Sequence, residues 1–197
     1  MVSTPEGKRR VDRRVLRTRK AIMSAFEKLI SDSDVDRITV SAIAREANID
    51  RKTFYLHYRS VDELANFKTE EALERVLEII TTKGAGKSHF ERLHLVLAHV
   101  NNTFTSNLPL YAGIARRLST DKVIEQIARA AENALAHAGY NPELVRNEQL
   151  YQKMEFYVAG AVFLYADWLR SDRKQPIETV SEAIEDAITT VYQKGKR

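Results

Sequence analysis

The 197-residue chain has no cysteine, which removes a disulfide framework, a thiolate nucleophile and a zinc-thiolate centre in one step. Glycine (7) and proline (4) are scarce, and that composition does not fit a collagen-like repeat, a disordered chain or a turn-rich all-β fold. No uncharged apolar stretch is long enough to span a bilayer, and no apolar run follows the charged N-terminus as it would in a signal peptide. A cytoplasmic protein with no membrane partner is the expectation. Period-two alternation is nearly absent, and there is no internal repeat. The chain has no Walker-type glycine loop, no Gly-x-Ser-x-Gly and no pair of Glu-x-x-His motifs of the kind that holds a metal centre in a helical bundle. The sequence therefore predicts no enzyme, no cofactor and no metal site. His89, His94 and His99 recur every five residues, about 140° apart on a helical wheel, and cannot share one ion.

What is present is helical periodicity and an uneven charge. The net charge is +4. Residues 1–64 account for all of it, with 14 Lys and Arg against 10 Asp and Glu, and the remainder is neutral. Eight cations fall within the first twenty residues, from Lys8 to Lys20. A basic end on a neutral body is the footprint of a polyanionic partner.

The spacing predicts an all-α protein of about nine helices. Residues 1–12 read as a flexible basic arm. A first helix from about Arg13 carries Leu16, Ile22, Met23, Phe26, Leu29 and Ile30, and two short helices follow over 39–47 and 50–57. Ser60 and Glu63 form a capping box that opens a long helix. A break over 81–87 precedes a one-sided helix with Phe90, Leu93, Leu97, Val100 and Phe104. Pro109, Pro142 and Pro176 mark later helix starts, and Gly139 a stop.

Residues 39–58 carry the functional signal. Ile43, Ala44 and Ala47 form the inner face of one short helix, and the two alanines let a second helix cross closely. Asn48 stands where the chain must turn and tolerates a left-handed backbone. Asp50 caps the helix that follows. This is helix-turn-helix geometry, in which the second helix enters the major groove. On its wheel Phe54 and Tyr58 face the core, and Lys52, Thr53 and Leu56 lie opposite, with Tyr55 and His57 on the flanks. Leu56 suits a thymine methyl, and the polar side chains suit phosphates or base edges.

The run from Ile38 to Leu64 closely resembles the N-terminal DNA-binding domain of the TetR family of transcriptional regulators. The shared features are the Thr39 start, Ile43-Ala44, Ala47, Thr53-Phe54-Tyr55, His57-Tyr58 and Asp62-Glu63-Leu64. The resemblance covers about 13–65. It departs at Asn48, where the family usually has glycine, and at Val61, where a lysine that touches phosphate is common. It implies that Thr39 and Ser41 meet the DNA backbone and that Arg51, Lys52, Thr53, Tyr55 and His57 supply the recognition contacts. Arg10, Arg13 and Arg14 would anchor the basic arm on double-stranded DNA. The domains expected are an arm (1–12), a DNA-binding domain (13–60) and a regulatory and dimerisation domain (61–197), in a ligand-responsive repressor. The alternative is a co-regulator of the same fold that acts through protein contacts.

In the C-terminal part, Phe156 to Ala166 runs without a charge, and a helix apolar all round must be covered on more than one side. A homodimer interface is expected there, built on Phe156, Gly160, Ala161 and Leu164 together with Ile177, Val180, Ile184 and Ile188 of the last helix. His94, Asn101, Tyr111, Tyr157 and Tyr165 are candidates to line a pocket for a small-molecule effector.

Overall fold

In the computed structural model, residues 13–32, 37–84, 86–137, 148–172 and 175–194 are described. The basic arm with Arg10, the Gly139 stop and Pro142 lie outside them. The described residues form nine helices and no strand. They are α1 (Arg13–Asp32), α2 (Val40–Glu46), α3 (Arg51–Tyr55), α4 (Val61–Thr82), α5 (His89–Ser106), α6 (Leu108–Arg117), α7 (Thr120–His137), α8 (Glu148–Arg170) and α9 (Ile177–Lys194). Contacts divide the chain into two units, one ending at Leu64 and one beginning at Ala65. The break falls inside α4.

The first unit packs α1 on α2 and α2 on α3. Its core is Ile22, Phe26 and Ile30 from α1, Ile43 and Ala44 from α2, Phe54 and Tyr58, and Val61 and Leu64 from α4, all buried. Burying side chains of this size is worth about 1.5–3 kcal/mol each before conformational entropy is set against it. Leu16, one of the apolar positions predicted for α1, is exposed instead.

Helix α4 opens on the predicted capping box in a shifted form. The Ser60 hydroxyl accepts from the Glu63 amide at 3.2 Å, but the Glu63 carboxylate accepts from the amide of Arg59 rather than that of Ser60. Where α4 ends, a Cβ on Gly84 would lie 2.5 Å from the Ile80 carbonyl and 2.9 Å from Arg92 Cγ, so only glycine fits that turn. A second capping box then starts α5. Ser88 accepts from the Glu91 amide, and Glu91 accepts from the Ser88 amide. These bonds hold the Glu91 carboxyl below its ordinary range.

In the second unit α8 is central and touches α6, α7 and α9, and α9 also packs on α5. Leu97, Tyr165, Ile177 and Ile184 form a buried cluster, with Phe104, Ala161, Trp168, Val180 and Ile188 packed against it. A directional chain of hydrogen bonds crosses this core. The Tyr165 hydroxyl donates to Asn101 Oδ1 at 2.7 Å, Asn101 Nδ2 donates to Ser181 Oγ at 2.9 Å, and Ser181 donates to the Glu178 carbonyl at 2.9 Å. Burial pushes the Tyr165 phenol well above its ordinary value, so the hydroxyl stays protonated and remains a donor.

Candidate nucleic-acid interface

Thr39 stands in extended backbone ahead of α2, and its hydroxyl accepts from the Ala42 amide at 3.2 Å. Asn48 follows α2 in the left-handed region, with φ +53°, and is the only non-glycine residue there among those described. The positive φ reverses the chain after α2, and the Ile49 amide returns to the Ala44 carbonyl at 2.9 Å. Asp50 then caps α3, accepting from the Thr53 amide at 2.6 Å. That bond, with Lys52 nearby, holds the Asp50 carboxyl below its ordinary value of 3.8. Helix, left-handed turn, cap and second helix therefore follow one another within residues 39–55.

Phe54 is fully buried and Tyr58 nearly so, as the wheel predicts. Burial raises the Tyr58 phenol, and the Arg19 guanidinium lies 5.9 Å from the centre of its ring. Opposite this inner face, Arg51, Lys52, Tyr55 and Leu56 are exposed, with Thr53 and His57 half-buried. Leu56 is 75% exposed and Tyr55 50%. The Tyr55 ring meets the edge of Phe54 at 5.6 Å, which anchors its body. Arg51 and Lys52 occupy the first turn of α3, the end that a helix dipole makes positive. They work against the helix there and favour an anionic partner. Thr39 and Ser41, at the start of α2, are exposed, as are Arg13 and Arg14 on α1. An ion pair between Lys28 and Glu46 at 2.6 Å joins α1 to α2. The sequence reading missed it, because a pair 18 residues apart has no local signature.

Val61, where the resemblance leads one to look for a lysine, is 5% exposed and belongs to the core of the first unit. The buried valine offers no cation to a phosphate.

The dimer candidates separate into two groups. Ile177 and Ile184 are buried in their own chain, and Val180, Ile188 and Ala161 pack against the same cluster. They are core residues here, because α9 lays its apolar stripe on α5 and α8. Phe156, Gly160 and Leu164 are exposed. Phe163, which the sequence reading did not single out, joins them on one stripe of α8 and is 61% exposed.

The pocket candidates divide too. Tyr111 and Tyr165 line a cavity in the second unit. Asn101 belongs to the hydrogen-bond chain beside it, His94 is exposed and 3.4 Å from a Glu185 oxygen, and Tyr157 meets Phe156 at 5.7 Å. None of these three lines the cavity. Glu91 and His94 make a single Glu-x-x-His spacing, but the glutamate caps α5 and the histidine faces Glu185. No group of three metal-ligating side chains occurs among the described residues, and no helix is long and apolar enough to cross a membrane.

A helix-turn-helix with an exposed basic and aromatic second helix, followed among the described residues by six further helices, is an arrangement suited to reading DNA. Residues 22–66 match the family model of bacterial regulatory proteins of the tetR family, so the N-terminal domain is similar to the DNA-binding domain of that family. The chain is 29% identical over 134 residues to YxbF, an HTH-type transcriptional regulator of Bacillus subtilis strain 168. The match covers 67% of this chain and only 35% of that protein, so the chain spans about a third of its curated relative. Its fold is similar to that of a TetR regulator from Streptococcus agalactiae 2603V (TM-score 0.56, 23% identity, 90% of this chain and 96% of the other). It is also similar to FadR from Bacillus subtilis, whose crystal structure is a complex with stearoyl-CoA (TM-score 0.55, 17% identity, 85% and 96%).

Proposed function

We propose that the protein is a homodimeric repressor that reads a palindromic operator and releases it when a small molecule enters its helical body. The observation that carries the reading is the exposed face of α3, where Lys52, Tyr55 and Leu56 stand opposite the buried Phe54. An exposed leucine between cations and a tyrosine suits a groove with thymine methyls in it. Two copies related by a two-fold axis would place two such helices in successive major grooves. The open stripe Phe156, Gly160, Phe163 and Leu164 supports self-association through α8, since no described residue covers it. Helix α4 is continuous from Val61 to Thr82. An effector must bind one spacing of the recognition helices better than the other, because equal affinity for both shifts nothing.

Selection of bound fragments from random DNA with purified protein tests the reading directly. The expected product is a palindrome or near-palindrome. Lys52→Ala and Leu56→Ala should each change preference at particular base pairs by about 1–3 kcal/mol, and neutralising Arg13 and Arg14 should weaken all sequences alike. Equal affinity for one half-site and for the whole site would refute the two-fold arrangement. Failure to enrich any sequence would favour the co-regulator that acts through protein contacts.

A further inference from the structure

The second unit holds a half-open cavity of about 280 Å³, walled by residues of α4 to α8. Its surface is apolar but for a few groups, and most of these already have partners. Thr69 donates to the Ala65 carbonyl at 3.1 Å, Tyr165 donates to Asn101, and the Thr103 hydroxyl lies 3.4 Å from His99 Nε2. Among the described residues, no aspartate or glutamate is in the wall. A cation entering it would lose hydration and find no counter-charge, and a sugar would leave its hydroxyls unpaired. The body of an occupant must therefore be apolar. At about 30 Å³ for each water-sized group, the space takes roughly nine heavy atoms.

One charged residue among those described, Arg170, lines the cavity, and it is exposed, which places it at the rim. Its guanidinium is held across the junction of α6 and α7. Nε donates to the Ala115 carbonyl at 2.7 Å, and the terminal nitrogens donate to Thr120 Oγ1 and the Leu118 carbonyl, both at 3.2 Å. All three acceptors are neutral. Arginine has five N–H donors, so these bonds fix its position while leaving donors and a full positive charge for an anion.

We propose that the cavity takes a medium-chain aliphatic carboxylate, with a chain of eight to ten carbons in the apolar space and the carboxylate on Arg170. The inference rests on the reading of the body as an effector-binding unit.

Calorimetric titration of the full chain, without DNA, tests it with hexanoate, octanoate, decanoate and 1-decanol. Decanoate should bind once per chain, with affinity rising about fourfold for each methylene from hexanoate onward. Decanol should bind about 10- to 100-fold more weakly, having no charge for Arg170. Arg170→Gln should bring decanoate down to the level of decanol and leave decanol unchanged. Because that variant also loosens the α6–α7 junction, Ala72→Phe serves as a second probe. It fills the cavity from α4, leaves the bonds of Arg170 in place, and should weaken both ligands more than tenfold. The proposal is overturned if decanoate does not bind, if decanol matches it, or if either variant binds decanoate as the wild type does. Decanoate that binds without altering DNA affinity supports this site and refutes the effector response. DNA release by another compound, with no decanoate binding, does the reverse.

Discussion

Two residues set the geometry of the reading head, and each makes its own prediction. Asn48 has φ +53°, a conformation that costs most L-residues about 1–2 kcal/mol. Asn48→Gly should leave stability unchanged or slightly raised, and Asn48→Val should lower it by at least that cost in urea unfolding. Asp50 caps α3, and its bond to the Thr53 amide depresses its carboxyl below 3.8. A group with a depressed folded pKa stabilises fully above its unfolded value and loses that contribution as the pH falls through the folded one. Melting temperature should therefore decline below about pH 3.8 more steeply in the wild type than in Asp50→Asn, where the acceptor no longer titrates. Superimposable acid limbs would remove this role from Asp50.

At the scale of elements, the chain Tyr165–Asn101–Ser181 ties α8 to α5 and α5 to α9. Asn101→Leu strands the buried tyrosine hydroxyl, at a cost of about 1–3 kcal/mol. Adding Tyr165→Phe should recover part of the loss, because it removes the stranded donor. An additive double variant would show that the bond carries no coupling. Local signals made much of this architecture legible. Thr39, Asn48, Asp50 and the Ser60 box act within four residues of themselves, so a linear reading finds them. The stripe on α9 was equally visible, but periodicity reports that a face is buried and not what buries it. Ile177 and Ile184 were expected at a partner and lie in their own core. His94 and Tyr157 do not line the cavity of the second unit for a related reason. Wheel position places a residue on a helix edge, and only the packing of a second helix decides whether that edge meets a void or solvent.

At the scale of the whole molecule, Gly160 gives a clean test of assembly. A Cβ there would meet nothing within 4 Å, so Gly160→Arg has room in the isolated chain and should fold with an unchanged helix content. Set into an apolar seam between two copies, the same side chain would bury an unpaired charge. The expected result is a monomer by light scattering, with operator binding lost although no residue of α3 has been touched. A variant that still dimerises would move the interface away from this stripe of α8.

The burial of Val61 reaches beyond packing. Each phosphate neutralised by a lysine or arginine releases condensed counterions, and the logarithm of affinity falls with the logarithm of salt by about 0.9 per contact on duplex DNA. A dimer of this chain, with a valine in each core at this position, would forgo two such contacts, one from each copy. Its hold on DNA should be less sensitive to ionic strength than that of a relative with lysine there, by nearly two units of slope. Occupancy of its operator would then change less as the salt inside a cell rises or falls.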